Sequence, residues 1–263
     1  MKARWLRNFL IGLIGAVVLG LGLSIFTAIT ATTSFSYVVS DLGTLNGYSS
    51  SSASDLNDAG QVVGSAFKPN SKVEFRAFLW NSGAIKDLGT LGGDYSEAYG
   101  INNKGQVVGG AATSSGTGTY HAFLWTNGTM KDLGTLGGSD SYAYGINNKG
   151  QVVGSAKTRR GAYTYHAFLW TNGTMKDLGT LGGSDSSASG INNRGRVVGS
   201  AETSSGTSHA FLWTNGKMRD LNSLLPAKSG WELTWASDIN NKGQIVGSGK
   251  FNGQTRAFLL TPT

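Results

Sequence analysis

Residues 121–154 read HAFLWTNGTMKDLGTLGGSDSYAYGINNKGQVVG. Residues 166–199 repeat that stretch with four changes in 34 positions: Tyr142 becomes Ser187, Tyr144 becomes Ser189, Lys149 becomes Arg194 and Gln151 becomes Arg196. Self-similarity at a fixed period decides architecture before any local propensity does. Working outward, AFLW begins at Ala77, Ala122, Ala167 and Ala210, with AFLL at Ala257. DLGTL begins at Asp41, Asp87, Asp132 and Asp177, with DLNSL at Asp220. INNxGxVVG begins at Ile101, Ile146 and Ile191, with variants at Leu56 and Ile239. Successive copies stand about 45 residues apart, which is the length of a four-stranded propeller blade.

Each period divides into four short strands. Strand A is the AYGIN region (143–147), strand B is QVVGSA (151–156), strand C is HAFLW (121–125) and strand D is TMKDLGTL (129–136). Asn127-Gly128, Asn172-Gly173 and Asn215-Gly216 fall between C and D, and Asn-Asn-Lys-Gly at 147–150 falls between A and B. These residues tolerate positive φ and close tight hairpins. The A, B and C segments occur five times, but no D segment follows 257–260, because the chain stops at Thr263. An unpaired D segment, 37–45, stands before the first A strand. The expected fold is therefore all-β: a five-bladed propeller over 37–263, its ring closed by the N-terminal strand lying beside 257–260. A solenoid would need atypical capping repeats, and none is visible.

Residues 1–8 carry Lys2, Arg4 and Arg7 and no acid, an apolar run follows over 9–29, and small and hydroxyl residues come next. Basic, then apolar, then small is the layout of an export signal. The run is long for a signal peptide and close to the ~20 residues that span a bilayer. Residues 1–33 are thus expected to be a signal peptide, or an uncleaved helix anchoring the chain through 9–29. Either way the rest lies outside the cytoplasm, extracellular or periplasmic, and membrane contact is confined to this segment.

Composition excludes several classes. There are 40 glycines but only 3 prolines, which is not collagen. With no cysteine there is no disulfide framework, thiol nucleophile or thiolate metal site. The net charge is +7; without Lys2, Arg4 and Arg7 it is +4, spread in single residues. Nucleic-acid binding needs a concentrated basic stripe, so no nucleic-acid partner is expected.

The motifs HAFLW, DLGTLGG and INNKGQVVG together resemble those of the HAF-repeat family, bacterial extracellular repeat proteins named for the tripeptide seen here as His121-Ala122-Phe123. The resemblance covers roughly 37–263. It implies export and a repeat architecture, and no particular activity. Many family members carry a C-terminal sorting tail, and this sequence shows none after the last repeat.

The strand order places the B–C loops and D–A connections on one side. These are the variable connections, so binding residues are expected there. Tyr95, Tyr142, Tyr163, Tyr165, Trp231 and Trp235 fall in or beside these loops, with Asp140 among them, and aromatics so placed can stack on sugar rings or peptides. His121, His166 and His209 occupy equivalent positions in different blades, too far apart for the ~2 Å bonds of a zinc site, so no metal is expected. The recurring Asp41, Asp87, Asp132, Asp177 and Asp220 read as a repeated turn staple rather than as catalytic acids. Asp55 and Asp238 begin segments that faintly echo a calcium loop, without its distal Glu. Trp80, Trp125, Trp170 and Trp213 read as packing between blades.

The expectation is a monomeric, non-catalytic binding module without a cofactor, facing carbohydrate, a cell-surface polymer or protein. The alternatives are a five-bladed glycoside hydrolase, for which Glu74, Glu97, Glu202 and Glu232 are the only unrepeated glutamates, and a purely structural scaffold.

Overall fold

The computed structural model describes residues 36–69, 73–115, 118–159 and 164–263. Within the unit Asp41–Thr263 the strands form five successive antiparallel sheets. The first holds β1 (Ser50–Leu56), β2 (Val62–Pro69), β3 (Val73–Asn81) and β4 (Ala84–Asp87); the second holds β5 (Ser96–Ile101), β6 (Val107–Ala112), β7 (Tyr120–Thr126) and β8 (Thr129–Asp132). The third holds β9 (Gly137–Ile146), β10 (Val152–Thr158), β11 (Tyr165–Thr171) and β12 (Thr174–Asp177). The fourth holds β13 (Gly182–Ile191), β14 (Val197–Thr203), β15 (Ser208–Thr214) and β16 (Lys217–Asp220). A 3-10 turn, Leu221–Leu224, leads to the fifth, which has three strands: β17 (Trp231–Ile239), β18 (Ile245–Phe251) and β19 (Gln254–Leu260).

Turn chemistry sets this meander. Asn127 and Gly128 sit at φ 50° and 94°, closing a two-residue hairpin in which Thr126 faces Thr129. Two consecutive positive φ values define the hairpin turn whose twist matches its strands. Strand D is shorter than the motif suggested and strand A longer. Asp132 Oδ1 accepts the Gly134 N–H at 2.7 Å, which ends β8, and the glycine pair after it already belongs to β9. The same carboxylate turn recurs at Asp41, Asp87, Asp177 and Asp220.

Consecutive sheets are joined by repeated polar links around apolar cores. Asn147 is buried; its Oδ1 accepts Lys149 and Gln151 N–H, while its amide donates to Gln151 Oε1 and to the Asn192 carbonyl of the next sheet. Asn57, Asn102 and Asn192 reach their next sheets in the same way, at 3.0–3.1 Å. Ser141 Oγ accepts Ala122 N–H and donates to the Gly134 carbonyl. Between these links lie apolar clusters such as Val63, Ala77 and Leu79 of the first sheet, with Leu88 just after it, against Ala98, Ile101, Phe123 and Trp125 of the second. Burying such surface is worth about 25 cal/mol per Å², the main stabilising term in a chain without disulfides.

The expected ring closure is not observed. Residues 36–40 form no strand, and Tyr37, Val38 and Val39 are almost fully exposed. Residues 43–45 are instead tied to the first sheet: the Gly43 carbonyl accepts Ser51 Oγ, Thr44 Oγ1 donates to the Ser50 carbonyl, and Leu45 packs with Ala66 and Phe78. Contacts a few residues away cost less chain entropy than pairing with the far end of the polypeptide. Among the described residues the fifth sheet thus has no outer strand. Val246 is 45 % and Leu259 61 % exposed, and Leu56 on the first sheet is 67 % exposed, although their counterparts Val153, Leu169 and Ile101 are buried. The expected leader, 1–33, lies outside the described residues. Among the described residues no helix is long and apolar enough to cross a membrane.

Candidate functional site

Two positions on each A strand decide the character of the face carrying the B–C and D–A connections. The first is Ser52, Glu97, Tyr142, Ser187 and Trp235 in sheets one to five; the second, two residues on, is Ser54, Tyr99, Tyr144, Ser189 and Ser237. The second position is the extra residue of a β-bulge in every sheet, and side chains of both positions line the cavities on this face. The second and third sheets therefore present large side chains there, and the fourth presents two small hydroxyls between Tyr142 and Tyr144 on one side and Trp235 on the other.

The result is a slot of about 350 Å³ walled by Tyr142, Tyr144 and Tyr165 and floored by Ser155, Ser186, Ser187 and Ser200. It continues into a smaller hollow bounded by Tyr144, Ser187, Ser189 and Trp235. Trp235 is half exposed and fixed by its indole N–H, which donates to Ser189 Oγ at 2.9 Å. Burial pushes the Tyr142 and Tyr165 hydroxyls above the usual phenol range, so both are neutral donors at physiological pH. Asp185 and Glu202 stand at the rim: Ser184 Oγ lies 2.6 Å from Asp185 Oδ2 and 2.8 Å from Glu202 Oε2.

The candidates named from sequence separate into groups. Tyr142, Tyr165 and Trp235 converge on the slot. Tyr95 belongs to a row of rings crossing the first three sheets: Phe67–Phe75 at 5.2 Å, Phe75–Tyr95 at 5.5 Å, Tyr95–Tyr120 at 5.2 Å and Tyr120–Tyr142 at 6.2 Å. Trp231 stands apart, packed on Phe251 and Phe258 at the end of the fifth sheet. Asp140 is 5 % exposed and structural: it accepts the Tyr120 N–H, the Ser139 hydroxyl and the Lys157 ammonium. Burial alone would raise its pKa, but these donors hold it below the usual carboxylate range. Tyr163 lies outside the described residues.

Other repeated groups are engaged within their own sheets. His121, His166 and His209 each meet the aspartate of the neighbouring strand at 2.6–2.8 Å. Trp125, Trp170 and Trp213 are buried between sheets, each under a lysine from the preceding one at 5.1–5.3 Å. On the A–B turn side, Asp55 and Asp238 face a polar funnel lined by the asparagine turns. Asp55 Oδ2 accepts the Ile101 N–H there. Desolvation first and the Asp55 charge last raise the Asp238 pKa, against the Ile239 N–H that lowers it.

Sequence reading missed Tyr144, Ser187, Ser189 and Asp185 as site residues. Their signal was present in the two Tyr-to-Ser changes between otherwise matching repeats.

No protein-family model matches the chain, and no curated protein sequence matches it. Among solved structures it is similar to TolB from Acinetobacter baumannii, with 13 % identity and a TM-score of 0.52 over 81 % of this chain; the match spans about half, 52 %, of that TolB chain. It is also similar to the β-propeller domain of the Trilobed protease from Pyrococcus furiosus, at 10 % identity and TM-score 0.38, covering 80 % and 82 % of the two chains. A gluconolactonase from Xanthomonas campestris aligns at 11 % identity and TM-score 0.40, over 82 % and 78 %. At these identities the TolB likeness speaks for fold alone, and the fold is that of a β-propeller.

Proposed function

We propose that this chain is an exported, non-catalytic binding module of five propeller blades, in keeping with its resemblance to HAF-repeat proteins, and that the slot takes a neutral sugar ring of a carbohydrate or cell-surface polymer. One observation carries the reading. Ser187 and Ser189 open a hydroxyl-floored gap between Tyr142, Tyr144 and Trp235, all of which line it. Sugar rings offer C–H faces to aromatic planes and hydroxyls to serine and tyrosine, and this slot supplies both. Trp235 is a built-in reporter. Neutral oligosaccharides and wall polymers should change its fluorescence saturably, and Trp235→Ala or Tyr142→Ala should weaken binding at least about tenfold, some 1.4 kcal/mol. Failure of every neutral glycan tested up to about 10 mM, an affinity limit near 3 kcal/mol, would sink the proposal.

A second reading has one observation in its favour. Where Asp140 is neutralised by Lys157, the equivalent Asp185 meets Glu202 across Ser184, placing two carboxylates at one slot. Paired carboxylates are the raw material of glycoside hydrolysis. Asp185→Asn and Glu202→Gln distinguish the readings: a hydrolase loses turnover with either, and a binding module has none to lose.

A further inference from the structure

We infer a second, charge-selective subsite in a different cavity, over the first sheet, which recognises a protonated amine carried on a small polar ring, as in a de-N-acetylated amino sugar. The cavity, about 390 Å³, lies between the A strand of the first sheet and Glu97 and Tyr99 of the second. Its floor repeats that of the slot with serines: Ser52 and Ser65 correspond to Ser187 and Ser200. Its wall differs in kind. At the position filled by Tyr142 and Trp235 in other sheets stands a carboxylate, Glu97.

That carboxylate is held but not neutralised. Glu97 Oε2 accepts the Tyr99 hydroxyl at 2.7 Å. Burial first, then hydrogen bonding to Glu97 and the Glu97 charge, keep the Tyr95 and Tyr99 phenols far above their ordinary pKa, so both stay protonated beside it. The chain has four glutamates. Glu74 and Glu232 are ion-paired, with Lys68 and Arg76 and with Lys250. Among the described residues no cation pairs with Glu97. A carboxylate that meets only neutral phenol donors keeps its charge and spare lone pairs, and so favours a cationic donor. Phe67 and Phe75 add ring faces, which attract ammonium groups and the C–H faces of sugars alike. The serine hydroxyls supply partners for ring hydroxyls, so a bare alkylammonium uses only part of the cavity.

The test titrates the full chain with glucosamine and, separately, N-acetylglucosamine, followed by saturation-transfer NMR below the amine pKa. Wild type should prefer glucosamine by about tenfold, the scale of one charge-assisted hydrogen bond in a partly open site. Raising salt from about 0.05 to 0.5 M should shrink that preference. Glu97→Gln keeps the shape and an acceptor for Tyr99 and should abolish the preference. Tyr99→Phe should retain it in weakened form, a control for folding. Trp235→Ala should leave it intact, so the subsite and the slot stand or fall separately. Equal binding of the two sugars, binding of neither up to about 100 mM, or a preference surviving in Glu97→Gln would overturn the inference.

Discussion

Gly110 of the second sheet lies beneath the ring of Tyr142 from the third: a methyl group at Gly110 would stand 2.8 Å from Tyr142 Cδ1. The other four sheets carry serine at this position, namely Ser65, Ser155, Ser200 and Ser248. The one glycine therefore sits where this tyrosine must be seated, and Ser155 sits where the next sheet presents only Ser187. Two departures from the repeat, one on each of two neighbouring sheets, are a single packing decision.

Gly110→Ser should accordingly displace Tyr142 and destabilise the protein by about 1–3 kcal/mol, the usual cost of overfilling a packed site. The backbone there does not need positive φ, so steric overlap is the cause. In the double variant Gly110→Ser/Tyr142→Ser the pair becomes the one that Ser155 and Ser187 already form, and most of the cost should disappear. A double-mutant cycle from thermal melts reads the coupling directly; additive effects would mean that the two residues do not share the space.

Much of the fold can be read in the sequence because each repeat states its turns and its buried faces in the same residues. Asn-Gly and Asn-Asn-Lys-Gly mark the hairpins, and FLW and VVG mark the packed strands. Ring closure is not legible because 37–45 has the composition of strand D, whereas its placement depends on whether Ser51, Ala66 and Phe78 hold its second half, a local competition that no motif expresses. The slot was half legible. Tyr142, Tyr165 and Trp235 stand out as aromatics in variable segments. Ser187 and Ser189 do not stand out, since a small residue becomes informative only once its large neighbours are known to flank it. Asp140 misled for a related reason, because its partner Lys157 comes 17 positions later, on the adjacent strand.

The asparagine links give a graded prediction. Asn147 and Asn240 make the same bonds inside their own turns, but Asn147 also donates to the Asn192 carbonyl while being buried. Asn147→Ala should therefore cost more than Asn240→Ala, by about 0.5–1.5 kcal/mol, the net worth of one hydrogen bond, since the Asn192 carbonyl keeps the Gly195 N–H. Chemical denaturation of the two variants measures the difference; equal losses would mean that the link to the next sheet contributes nothing.

Asp140 and Asp238 should respond to pH in opposite senses. The Asp140 pKa is lowered by folding, so it stabilises the fold above the unfolded carboxylate value, about 3.9, and that contribution is lost as pH falls through the folded value. Asp140→Asn should lower the melting temperature at neutral pH, with the deficit closing toward strong acid. The Asp238 pKa is raised by folding, so its ionisation penalises the native state once pH rises above the same reference. Asp238 is itself exposed to solvent, so Asp238→Asn, which keeps an oxygen for the Ile239 N–H, should raise the melting temperature at neutral pH only slightly, with the gain vanishing in acid. Melting curves from about pH 3 to 8 test both; parallel pH profiles for wild type and Asp238→Asn would rule out the second.

The uncovered face of the fifth sheet can be tested by charge. Leu169 and Leu259 hold the same place in the repeat, yet Leu169 is 7 % exposed, packed with residues of the third and fourth sheets, while Leu259 is 61 % exposed. Leu169→Asp puts an unpaired carboxylate among Val153, Ala188 and Phe211 and should cost more than about 4 kcal/mol, enough to unfold many domains. Leu259→Asp meets water and should cost under about 0.5 kcal/mol. If Leu259→Asp instead destabilised the monomer as severely as Leu169→Asp, another part of the same chain must cover the fifth sheet in solution. If the loss faded on dilution of wild type toward the level of the variant, the cover would be a second copy. A near-neutral Leu259→Asp leaves that face open to water, as the exposure of Val246 beside it on the central strand requires.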